Sequence, residues 1–132
     1  MSIVTTNANL ILGYLFGDDT YTLPSNYYIG LSTTTPTATG TNITEPSGGA
    51  YARVTVPNNT TNWNTASARA VTNKLAIDFI ESSASWGTIT YFVIFDAVSG
   101  GNAQYFDSVS SRVVYTTTTV SFPVGSVTIS IP

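Results

Sequence analysis

The stretch Trp86–Phe106, WGTITYFVIFDAVSGGNAQYF, decides how this chain folds. Bulky residues run from Thr88 to Phe95, a turn follows at Ser99-Gly100-Gly101, and the chain returns through Ala103 to Phe106. This predicts a β-hairpin. Side chains alternate along a strand, so Ile89, Tyr91, Val93 and Phe95 point to one face and Phe92 and Ile94 to the other. A strand apolar on both faces is covered on both. Either it lies in the middle of a sandwich or a partner subunit covers one face, which makes Phe92 and Ile94 candidate interface residues.

The flanking sequence repeats the alternation. Ile29 and Leu31 share one face of Tyr27–Thr33. In Tyr51–Val56, Ala52, Val54 and Val56 point inward and Tyr51, Arg53 and Thr55 outward. Leu75, Ile77 and Phe79 oppose Lys74 and Asp78; Val113–Tyr115 and Val120–Phe122 form one strand or two; Val127, Ile129 and Ile131 form a last half-buried strand. Turn signals at Pro24-Ser25-Asn26, Pro57-Asn58-Asn59 and Pro123-Val124-Gly125, and a polar loop from Thr34 to Gly49, separate them. Short strands punctuated in this way predict an all-β chain, an antiparallel β-sandwich or jelly-roll-like fold. One short N-terminal helix precedes it, with Leu10, Ile11, Tyr14 and Leu15 at helical spacing. Thr5, Thr6 or Asn7 would cap it, and Gly17 with Asp18-Asp19 would end it. Residues 1–132 read as a single domain, with 1–19 a helical arm or lid and 20–132 the β-sandwich. As an arm, the helix would offer Leu10, Tyr14 and Leu15 to a neighbour; as a lid, it would close the open end of the sandwich.

Composition removes most chemistry. The 132 residues contain no Cys and no His, so thiolate catalysis, imidazole catalysis and His/Cys metal sites are excluded. The acids Asp18, Asp19, Glu45, Asp78, Glu81, Asp96 and Asp107 form no evident glycosidase pair, and no Asp-x-Asp-x-Asp calcium loop is present. Ser47-Gly48-Gly49 and Ser99-Gly100-Gly101 lack the ending of a phosphate-binding loop. The expectation is a non-enzyme without cofactor or metal. With net charge −3 and only Arg53, Arg69, Lys74 and Arg112 as scattered cations, nucleic acid and anionic membrane are not expected partners. Charged residues are only 8% of the chain, so its surface repels other copies weakly. The N-terminus lacks the basic region and cleavage site of a signal peptide. The eight tyrosines serve core packing, an interface or stacking on sugar rings.

Two motifs carry a resemblance. Glu45-Pro46-Ser47-Gly48-Gly49-Ala50-Tyr51-Ala52-Arg53 fits E-x-S-G-G-x-Y-A-R, and Trp86-Gly87-Thr88-Ile89-Thr90 with Phe95-Asp96-Ala97 and Gly100-Gly101-Asn102 fits W-G-T-[IV]-T…F-D-A…G-G-N. The chain resembles the small tailed-bacteriophage virion proteins often labelled tail fibre proteins, over nearly its whole length. The resemblance implies a structural protein exposed on the virion and made in the host cytoplasm, and it brings no catalytic residues. Physically, Glu45 and Arg53 bracket a Gly-rich bend that a carboxylate–guanidinium pair would pin, and Trp86 would pack at a strand entry where Gly87 lets backbone pass close. With no coiled coil and no repeat for a shaft, the first expectation is a capsid decoration, or cement, protein, a homotrimer on the major capsid protein. The alternatives are a tail fibre or receptor-binding tip carried by a tail adaptor protein, and a carbohydrate-binding module.

Overall fold

The computed structural model describes residues 2–17 and 20–132, so Asp18 and Asp19 lie outside the described residues. One helix, α1 (Thr5–Leu15), follows a two-residue strand, β1 (Ser2–Ile3). The remaining strands are β2 (Asn26–Ser32), β3 (Val54–Pro57), β4 (Ala70–Thr72), β5 (Ile77–Asp78), β6 (Gly87–Phe95), β7 (Ala103–Val114), β8 (Ser121–Phe122) and β9 (Thr128–Ser130). Five of them form one sheet in the order β1-β7-β6-β2-β3, while β4-β9 and β5-β8 form two short ribbons. All these pairings are antiparallel. The chain is all-β with one short N-terminal helix, as its sequence predicts.

β6 lies at the centre of the large sheet and is buried on both faces by the chain itself. On one face Phe92 and Ile94 join Ile29, Leu31, Val56 and Val114 in one core with Trp63 and Trp86 and with Ile77, Phe79, Val120 and Val127, which lie in or beside the ribbon strands. Phe92 is 4% exposed and Ile94 0%, so neither is available to a partner; both belong to the main core. On the other face Val93, Phe95, Ala103 and Phe106 pack with Val4, and Ile43 of the Thr34–Gly49 loop lies against them. The alternation also breaks once. Pairing shifts register between Ile89 and Tyr91, and Ile89 joins the Phe92 and Ile94 side instead of the Tyr91 side. A bulge re-aims side chains in this way.

Other expectations are corrected similarly. The return strand does not stop at Phe106 but continues unbroken to Val114. Leu75 and Ile131, assigned to apolar faces, are 49% and 62% exposed. Ala52 is exposed, whereas Arg53 turns inward, with its side chain only 6% exposed. The helix is capped differently too. Val4 holds the N-cap position without a side-chain bond, and Thr5 donates from its N and Oγ1 to Ala38 O at 2.9 and 3.1 Å. The loop thus supplies the acceptor that a capping side chain would otherwise provide. Asn7, not Leu10, is the buried residue of the helix; its Nδ2 donates to Gln104 O and its Oδ1 accepts from Tyr21 Oη.

The ribbon layer is held by buried polar side chains as well as by strand pairing. Asn73, 0% exposed, donates to Leu75 O and Pro123 O at 2.9 Å each and accepts from Val127 N at 2.9 Å. Ser82, 1% exposed, donates to Tyr115 O and accepts from Thr118 N. Satisfied in this way, the buried amide and hydroxyl fix irregular backbone that a ladder would fix elsewhere.

Candidate functional site

The two motifs, some forty residues apart in sequence, meet in one constellation. Arg53 is its centre. Its Nε and Nη2 donate to the two carboxylate oxygens of Glu45 at 2.9 and 2.7 Å, a bidentate ion pair. Its Nη1 donates to Ala97 O at 2.7 Å and Gly100 O at 2.9 Å, both in the β6–β7 turn. The guanidinium lies 3.4 Å from the centroid of the Phe95 ring. One side chain therefore ties the Gly-rich loop to the hairpin turn and covers the end of the second core. Only a planar fork makes all four bonds together; an ammonium cannot.

Tyr51 links this clasp to the main core. Its hydroxyl donates to Glu45 Oε1 at 2.7 Å and accepts from Leu31 N at 2.9 Å. Its ring meets Trp86 edge-on at 5.3 Å and stacks near Phe79 at 6.3 Å. Trp86, 4% exposed, donates from Nε1 to Gly49 O at 2.8 Å. Gly48 and Gly49 carry positive φ, and a Cβ at Gly49 would fall 2.9 Å from the Trp86 indole nitrogen. In the turn, Asp96 accepts from Asn102 N at 2.7 Å, and a Cβ on Gly101 would press on Ala97 Cβ at 2.6 Å. Gly87 has φ +81°, and a Cβ there would make only an ordinary contact with Thr33 Cγ2 at 3.7 Å, so its backbone conformation and not a close approach calls for glycine.

Burial pushes the Glu45 carboxyl up, but hydrogen bonds from Arg53 and Tyr51 outweigh it and hold the group below its ordinary value of 4.5. The Tyr51 phenol is pushed far up, first by burial and then by its bond to the Glu45 carboxylate. A carboxylate whose folded pKa is depressed stabilises the fold above the unfolded value, and that stability is lost as pH falls through the folded pKa. Wild type will therefore lose stability relative to Glu45→Gln as pH drops from about 5 to about 2. Urea midpoints compared across that range check this; parallel curves would show that the pair is not linked to folding.

Gly30, in β2, lies outside the two motifs, yet the clasp depends on it. A Cβ there would fall 2.7 Å from Glu45 Oε1 and 2.8 Å from the Phe95 ring. An isolated glycine inside an alternating strand is the signal that marks it, since such glycines mark close approach. Gly30→Ala is expected to cost about 1–3 kcal/mol in chemical denaturation, despite alanine's better strand propensity, because carboxylate and ring have no room to give.

The candidate interface residues do not converge. Leu10 is half-buried, Tyr14 and Leu15 are 57% and 65% exposed at the end of α1, and Phe92 and Ile94 lie in the core. Among the described residues no group of three acidic side chains is placed to hold a metal ion. None of the described helices is long and apolar enough to cross a membrane. In the clasp itself the polar heads of Arg53, Glu45 and Tyr51 are all engaged by protein, so it binds loops together.

No curated protein matches the chain. Residues 2–130 match a family described as podophage GP4 fiber I protein gp80. The match spans nearly all of the sequence, and the chain belongs to this family of phage fibre proteins.

Proposed function

We propose that this chain is a non-enzymatic structural part of a bacteriophage tail fibre, assembling with copies of itself, as a trimer, and with a tail adaptor protein. The observation that carries this is the family match over residues 2–130, whose description names a fibre protein and not a head protein. It reverses the order of the sequence-based expectations, in which capsid decoration came before the fibre. Two features agree with assembly into a larger particle. Charged residues are 8% of the chain, so neighbouring copies repel weakly. The end of α1 leaves Leu15 and Phe16 65% and 80% exposed, apolar surface suited to a subunit contact. The clasp supports the same role mechanically. It fixes the Gly-rich loop and the hairpin turn against each other without consuming any chemistry.

Gold-labelled antibody raised against the protein tests the placement on intact particles. Label confined to tail-attached fibres is the expected result. Label distributed over the head would overturn it and restore the decoration reading.

A further inference from the structure

A groove of about 450 Å³ opens between the large sheet and the β4-β9 ribbon. Its volume lies within the range of small-molecule sites, about 300–1,000 Å³. Tyr27, Trp63 and Tyr105 line it, and Asn58, Asn59 and Asn64 also contribute. The Tyr27 and Trp63 rings stand at 89° with centroids 6.3 Å apart, which makes an aromatic corner: one flat face with a wall beside it. The three amides are exposed and only partly used. Asn58 donates to Pro24 O, Asn64 donates to Thr72 Oγ1, and Asn59 accepts from Thr61 N and Asn62 N. That leaves the acceptor oxygens of Asn58 and Asn64 and the donor nitrogen of Asn59 for something else. Among the described residues no carboxylate, lysine or arginine lines the groove. Burial, followed by the nearby Tyr21 and Tyr105, pushes the Tyr27 phenol up to about 12.

A second observation falls on the same wall. Trp63 is 8% exposed, and its Nε1 is the one buried side-chain polar atom without a hydrogen-bond partner among the described residues. Unpaired buried donors are uncommon and costly, and a native one calls for a partner that the protein does not itself supply.

We propose that this groove binds a neutral saccharide, a pyranose seated against the Tyr27–Trp63 corner with its hydroxyls shared among the asparagine amides. The chemistry selects this class. An apolar C–H face suits an aromatic platform, and hydroxyls, which both donate and accept, suit free amide groups. A purely apolar occupant would leave the amides desolvated without partners, and an anionic or cationic one would meet no counter-charge among the described lining residues. The inference goes beyond the fibre assignment and does not depend on where the protein sits in the particle.

The test uses the full chain and its two indole N–H resonances. The probes are methyl glucoside, methyl galactoside, rhamnose and N-acetylglucosamine, with short oligomers of glucose and N-acetylglucosamine. At least one is expected to shift the Trp63 signal saturably below about 10 mM. The Trp86 signal, already bonded to Gly49 O, should stay fixed. Asn64→Ala and Tyr27→Phe, each checked for an unchanged melting temperature, should weaken that binding about 2- to 10-fold, as loss of one hydrogen bond does. No Trp63 shift with any probe overturns the proposal. So does a shift that both variants leave unaltered, a response only to a hydrophobic dye, or a solution dimer that closes the groove.

Discussion

Arg53→Ala is expected to destabilise the protein by about 3–5 kcal/mol, as removal of one partner from a buried ion pair does. The guanidinium is 6% exposed on its side chain and Glu45 24%, so the carboxylate left behind is largely desolvated. The loss is not confined to the pair. Ala97 O and Gly100 O lose their donor, and the Phe95 ring loses the cation 3.4 Å above it. Arg53→Lys keeps the charge but not the fork, and should recover only a minority of the loss. Removing both charges, as Arg53→Met with Glu45→Gln, should cost less than Arg53→Ala alone, because no unpaired carboxylate remains. Urea denaturation at pH 7 measures all of these. A domain of this kind has about 5–15 kcal/mol in total, so a predicted loss of this size is unmistakable. An Arg53→Ala midpoint equal to wild type would show that the clasp does not hold the fold together.

What the sequence reveals and what it conceals follow one physical division. Periodic apolar residues announce strands because burial acts on every second side chain; Ile29 and Leu31 of β2 and Phe92 and Ile94 of β6 are legible on that basis. What covers them is not legible, because covering is a long-range event. The second face of β6 meets Val4 and Ile43, more than forty residues distant, so a neighbouring subunit and the chain itself look alike from sequence. Arg53 illustrates the same limit. Strict alternation from Val54 and Val56 sends it outward with Tyr51, but β3 begins only at Val54, and before it the chain follows Gly48 and Gly49 through positive φ. Spacing brought Glu45 and Arg53 together as a pair, since both flank one bend. It carried no trace of the hairpin carbonyls that take the other half of the guanidinium. The ribbon layer is hidden for another reason: Asn73 and Ser82 hold it, and single buried polar residues leave no period to detect.

Trp86→Ala should cost about 3–5 kcal/mol, the usual range for deleting a large buried ring. The indole is 4% exposed and packs edge-on against Tyr51 and, at 6.4 Å and 70°, against Phe79. Trp86→Phe separates packing from hydrogen bonding. Gly49 O also accepts from Ser83 N at 2.9 Å, so it keeps a partner when the indole N–H is removed. The phenylalanine variant should therefore recover most of the loss, and a penalty as large as alanine's would place the energy in the Gly49 bond instead. The pair Trp86 and Arg53 then tests the clasp as one unit. They do not touch; Tyr51 joins them, with its ring on Trp86 and its hydroxyl on the Glu45 carboxylate that Arg53 holds. Distant independent sites add within about 0.3–0.5 kcal/mol, whereas sites sharing a partner depart by about 0.5–3 kcal/mol. A rigid Tyr51 passes the disturbance from one to the other, so the double variant Arg53→Ala/Trp86→Ala should lose less than the two singles combined. Strict additivity in the same denaturation experiment would mean that each motif braces its own half of the sheet and that Tyr51 merely lies between them.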